Sequence, residues 1–171
     1  SLVWFGALGN HLQAHEFWLA PYQFDLTSGE SLQADLKVGQ NFEGQSLPFI
    51  TSSFSVSDQT ETVSITPRFA SFPALNHAPP FDGLNIISYE SKHSTLTYES
   101  EQKFHSFLRA DGLEWVIEKH RSRQLPPAGF TEAYRRFVKS LVNAGDKDFS
   151  ERDRKVGQMF ELVLQEHPFS K

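Results

Sequence analysis

The stretch SLQADLKVG, residues 31–39, alternates apolar Leu32, Ala34, Leu36 and Val38 with polar Gln33, Asp35 and Lys37. A period of two puts one kind of side chain on each face of an extended chain, which predicts a half-buried strand ending at Gly39. Working outward, HEFWLAP (15–21) reads as a strand closed by Pro21. PFITSSFSVS (48–57) and ETVSITPRF (61–69), separated by DQT, carry the β-branched and aromatic residues of antiparallel sheet. FPALNHAPPFDG (72–83) holds three prolines and a glycine and predicts a loop. LNIISYE (84–90) and STLTYE (94–99) flank the polar SKH and predict a hairpin. Many short strands at this spacing predict a mainly β chain, an immunoglobulin-like antiparallel β-sandwich.

The texture changes at Ser100 and predicts an α-helical insertion near the C-terminal third. Phe104, Phe107 and Leu108 recur at helical spacing, with Ser100 as N-cap and Gly112 past the end. Asp111 followed by Glu114 resembles a capping box for a second helix burying Leu113, Val116 and Ile117. RQLPPAG breaks it. Thr131 then predicts the cap of a third helix, with Tyr134, Phe137, Val138, Leu141 and Val142 as its apolar stripe and Gly145 as its stop. On that helix Glu132, Arg135, Arg136 and Lys139 would form a solvated, ion-paired face. DKDFSERDRK (146–155) reads as a charged linker and VGQMFELVLQ (156–165) as a further strand. The expected division is a leader remnant at 1–14, a sandwich at 15–145 with helices over 100–145, and a linker opening a second domain at 146–171.

The 171 residues include 16 Lys and Arg, 21 Asp and Glu, 16 Phe and no Cys. A net charge of −5 lacks the basic excess that phosphate backbones require, so no nucleic-acid partner is expected. Without cysteine there is no disulfide, thiolate metal site or Cys nucleophile. SLVWFGALG at the start is apolar and uncharged. It falls short of the roughly 20 residues a membrane span needs, so no stable span is expected. It matches the core of a secretory signal cut after Ala14, which predicts export to the periplasm with His15 as first residue.

No nucleophile elbow, phosphate loop or His-Glu-x-x-His helix is present, and an enzyme is not expected. Seven histidines leave imidazole and carboxylate as available ligands, suited to nickel, cobalt, copper or zinc. A terminal His15 would offer an α-amine and an imidazole on one residue. An amine of pKa about 8 can lose its proton to a metal near neutral pH. His77 in the Pro-rich loop and His93 in the SKH turn are the candidates to complete the ligand set, since loops expose functional residues. His105 and His120, beside phenylalanines and basic residues respectively, are discounted. A different expectation is a metal-free structural or interaction sandwich that binds a protein or glycan through loop aromatics Phe69, Phe72 and Phe81.

Several segments together resemble a bacterial exported family designated domain of unknown function 4198 (DUF4198). They are AHEFWLAP with Tyr22 (14–22), VGQNFEG (38–44), FHSFLRADGLEWV (104–116) and TEAYRRFVKSLVNAG (131–145). The pairing of HEFWL with Glu132, Tyr134, Arg136 and Lys139 carries most of the specificity. Family members bear labels such as nickel-uptake or NikM-like component. The resemblance implies a periplasmic β-sandwich with a helical insertion, a mature start at His15, a following immunoglobulin-like domain, and divalent-metal handling alongside uptake-transporter components. One departure is that this chain has Gly83-Leu84-Asn85 where many members carry Gly-x-His.

Overall fold

The computed structural model describes residues 16–50, 53–146, 148 and 150–169. It is mainly β and sandwich-like, as the alternating stretches predict. In chain order the strands are β1 (Glu16–Pro21), β2 (Asp25–Leu26), β3 (Leu32–Gln40), β4 (Glu43–Leu47), β5 (Phe54–Ser57), β6 (Thr62–Ile65), β7 (Leu75–His77) and β8 (Gly83–Glu90). Then come β9 (Ser94–Tyr98), helices α1 (Glu101–Ala110) and α2 (Trp115–Ser122), β10 (Phe130–Tyr134) and β11 (Phe137–Ala144). The chain divides into two compact units, one of residues 16–94 and 134–171 and one including residues 95–133.

In the larger unit, one sheet runs β1-β3-β4 with β7 also pairing β3, and the other runs β2-β11-β8-β5-β6. All of these pairings are antiparallel except the short parallel contact of β2 with β11. Leu32, Ala34 and Leu36 of β3 are buried, as the period-two reading requires. They join Leu19, Phe54, Val56, Ile87, Tyr89, Val138 and Val142 in one core. Burying a side chain of this kind contributes about 1.5–3 kcal/mol, and this core is what holds the two sheets face to face.

The second sheet is covered on both sides. Register pairs Val138 with Tyr89 and Val142 with Asn85, so the alternate residues Lys139, Leu141 and Asn143 share the other face with Ser88, Ile86 and Leu84. That outer face carries the segment after β11, in which no strand or helix forms among the described residues. It is tied down by polar contacts. The Glu151 carboxylate accepts the Leu84 N–H at 2.7 Å, and the Gln158 amide donates to the Tyr89 and Val138 carbonyls at 3.0 and 3.3 Å. Gly83 is at φ +85, and a Cβ there would run into the Glu151 carboxylate, so glycine serves both the turn and the close approach. Lys139 Nζ sits 2.9 Å from Asp153 and 3.3 Å from Glu161, with all three side chains at most 9% exposed.

These observations correct several expectations. Residues 131–145 form two strands, not a helix. Their helix-like spacing arises because β11 is apolar on both faces, one against the core and one under the following segment, and such a strand loses its alternation. Lys139 is accordingly a buried ion-pair partner rather than part of a solvated face. Of the expected linker 146–155, residues 150–155 are no free tether, since Asp153 is 6% exposed and Glu151 holds the Leu84 N–H, and 156–165 take no strand. The hairpin expected over 84–99 does not form: β8 pairs with β5 and β11, and β9 with β10.

In the smaller unit α1 starts where the sequence places it, with the Ser100 hydroxyl accepting the Lys103 N–H at 3.3 Å. Asp111 closes α1 instead of opening α2, and Glu114 precedes α2 without a side-chain cap. Leu113, Val116 and Ile117 pack, partly buried, on Tyr98, Phe104 and Leu108. His120 lies against Phe104 and Phe130, with Nε2 donating to the Pro126 carbonyl at 2.8 Å. That is a packed, satisfied histidine. Among the described residues no helix is long and apolar enough to cross a membrane.

Candidate functional site

Along β1 the first sheet has an edge with no second paired strand: among the described residues β1 pairs only with β3, and β11 of the other sheet lies beside it without pairing. Alternate residues of such a strand turn their backbone N–H and C=O groups outward, where they can accept another strand. Pro21 closes β1 at a place proline tolerates, an edge. Across from it β11 meets β2 only at Asn143 and Ala144, so its 137–142 stretch pairs on one side alone. Between them lies a groove of about 520 Å³ whose lining includes Phe17, Trp18, Phe24, Phe42, Phe137 and Val138.

Phe42 is the most informative of these residues. Asn41 and Phe42 have φ of +52 and +58, so the two-residue β3–β4 connection is a type I′ turn. Such turns favour Asn followed by Gly. A phenylalanine held in the left-handed region costs about 1 kcal/mol, and here its ring is 77% exposed. The strain therefore does not serve core packing. The Phe42 N–H donates to Glu16 Oε2 at 2.8 Å, which ties the turn to the start of β1. Its ring meets Trp18 edge-on, with centroids 5.8 Å apart. The hairpin itself is narrow, because Gly39 and Gly44 face each other and neither leaves room for a Cβ.

Beyond Pro21 the rim turns polar. Tyr22 Oη donates to Asp35 Oδ1 at 3.3 Å, and Ser46 Oγ donates to Asp35 Oδ2 at 2.5 Å. Asp35, 9% exposed, is thus held by two hydroxyls. Partial desolvation, together with the Asp35 charge and hydrogen bond, pushes the Tyr22 phenol above its ordinary range. Phe24 is 54% exposed.

Of the expected metal ligands, His15 lies outside the described residues. His77 ends β7 on the first sheet, exposed, with Nδ1 2.6 Å from the Ala78 carbonyl. A carbonyl only accepts, so Nδ1 donates and Nε2 remains as the lone-pair nitrogen. His93 is exposed in the turn that follows β8 of the other sheet. Among the described residues no group of three or more His, Asp or Glu could hold a metal ion. Of the loop aromatics, Phe69 and Phe72 are 71% and 61% exposed, while Phe81 packs against the sandwich core. The groove aromatics around Phe42 were not singled out by sequence; the signal available was a bulky residue in the Gly position of an Asn-x turn.

Residues 12–170 match the profile of a family described as Domain of unknown function (DUF4198). No curated protein and no solved structure matches the chain.

Proposed function

The chain belongs to the DUF4198 family, and on that premise we propose that it is an exported, periplasmic recognition module that takes an extended peptide along β1. The single observation that carries this reading is the strained, exposed Phe42 set beside Trp18 on an open strand edge. Strand addition draws affinity from main-chain hydrogen bonds and specificity from pockets for alternate side chains. The groove offers both: a strand edge unpaired on one side, and aromatic walls that would take bulky apolar side chains. Aromatic rings make good anchors because they contribute large contact area while ordering few torsions.

The test uses the whole chain and a display library of unstructured peptides. Enriched peptides with alternating apolar residues, which slow amide exchange across β1 and lose binding about tenfold or more in Trp18→Ala and Phe42→Ala, support the reading. Peptides that bind both variants as well as the parent reject it. N-terminal sequencing of secreted material tests export, with His15 as the expected first residue.

A second reading is divalent-metal binding in uptake, with a nickel, cobalt or copper ion and transporter components as partners. One observation favours it: Glu16, the residue after His15, is exposed at the start of β1. A chain beginning at His15 would have an amine, an imidazole and a carboxylate on two consecutive residues. Titration of the mature protein with copper and nickel, repeated on His15→Ala, decides this. Equal affinity in parent and variant would retire that site.

A further inference from the structure

At one end of the β8–β11 pair a second cavity of about 790 Å³ opens, well inside the range of small-molecule sites. Its lining differs in kind from the aromatic groove. It holds four serines, the Glu90–Arg135 ion pair, Lys92, His93 and Gln158, with Val156 as the one aliphatic residue beyond glycine and no Phe, Tyr or Trp among the described residues. Three walls are fixed. Ser55 and Ser88 are cross-strand neighbours on β5 and β8. Ser91 takes the Arg136 N–H at 2.9 Å and donates to the Lys92 carbonyl at 2.9 Å, which locks the turn after β8. The third wall is the covering segment, anchored by Gln158 on β8 and β11 and by Glu161, which accepts the Val156 and Gly157 N–H groups at 2.7 and 3.2 Å.

From this lining we infer that the cleft binds a small oxyanion, a carboxylate or a phosphate. Charge points that way. Lys92 and Arg135 give two positive groups against the single Glu90, an excess of one, on a chain whose net charge is −5. A local excess opposite in sign to the whole is what a concave site uses to concentrate an anion. Donor chemistry agrees. Lys92 is exposed and its ammonium has no hydrogen bond or ion pair among the described residues, so its three side-chain donors are uncommitted. A guanidinium carries more N–H donors than one carboxylate uses, and Arg135 is partly solvated beside Glu90, with side-chain exposures of 26% and 32%. Ser88 is only 5% exposed, and its hydrogen bond to the Ser55 carbonyl is long at 3.4 Å, so a better acceptor can redirect it. The lining carries no Phe, Tyr or Trp among the described residues, and its ammonium, guanidinium and hydroxyl donors suit small charged oxygens.

The experiment is calorimetric titration of the full chain with inorganic phosphate and, separately, with a four-carbon dicarboxylate, at low and moderate salt. Saturable binding of at least one anion is expected, weakening with salt. It should drop about tenfold or more in Lys92→Ala, since a hydrogen bond to a charged group is lost. Lys92→Ala touches nothing structural, so its unfolding midpoint should match the parent's, and Lys92→Arg should restore most of the affinity. The two titrants distinguish phosphate from carboxylate. No saturable binding of either anion at millimolar concentration overturns the inference, as does binding that Lys92→Ala leaves unchanged. The peptide-binding arm of the groove variants is read separately, so either proposal can fail alone.

Discussion

Replacing Lys139 by methionine keeps the length of the side chain and deletes its charge. Lys139 Nζ stands 2.9 Å from Asp153 and 3.3 Å from Glu161. At an effective dielectric near 20 each pair is worth about 5 kcal/mol in gross attraction. Desolvation of three ions offsets most of that, so the triad adds little over a well-packed apolar cluster. Removing only the cation is different, because it leaves two buried carboxylates facing each other, at about 3–5 kcal/mol. Some compensation survives here. Asp153 Oδ2 keeps the Leu164 N–H at 2.8 Å, and Glu161 keeps those of Val156 and Gly157. The expected loss is therefore near the lower bound, about 3 kcal/mol, or a Tm shift of roughly 6–12 °C for a chain of this size. Guanidinium denaturation at pH 7 measures it, and amide exchange should rise first in the covering segment. A loss below about 1 kcal/mol for Lys139→Met would refute the reasoning, since it would mean the carboxylates are hydrated rather than packed against β11.

Phe42→Gly should raise stability by about 0.5–1 kcal/mol, because glycine adopts the left-handed turn without strain, while peptide binding falls; a variant that loses stability would show that the ring is structural. Gly39→Ala or Gly44→Ala should cost about 2 kcal/mol or more by denaturation, as a Cβ at either site overlaps the backbone of the facing strand, and wild-type midpoints would contradict the close approach. Acid should loosen the covering segment. Burial opposes the charge on Glu161, yet the Val156 N–H and Lys139 outweigh it and hold the carboxyl below its ordinary 4.5. A depressed folded-state value gives stability that is complete above about pH 4.5 and is lost as pH falls through the folded value. Glu161→Gln should flatten that acid limb in a pH series of melts, and an unchanged limb would assign it to other carboxylates.

Sequence alone determined the elements whose information is local. The 31–39 alternation specifies β3 because one face of that strand meets the core and the other meets water or short polar contacts. Ser100 specifies the start of α1 because a hydroxyl before a helical run satisfies an orphan N–H within the same turn. The strand Thr62–Ile65 and its partner Phe54–Ser57 were legible through the polar DQT between them.

Tertiary structure alone decided the rest. The 137–144 stretch spaces its apolar residues as a helix would, and only the packing of a segment from further along the chain explains why a strand carries apolar groups on both faces. For the same reason Lys139 looked like surface: its burial depends on Asp153 and Glu161, 14 and 22 residues away. The SKH turn looked like a hairpin because pairing is non-local, and β8 finds β5 and β11 more rewarding than β9. The groove beside Phe42 and the oxyanion cleft beside Lys92 were illegible for that reason too. Each is a juxtaposition of strands far apart in the chain, and no periodicity within one strand records which neighbour it meets.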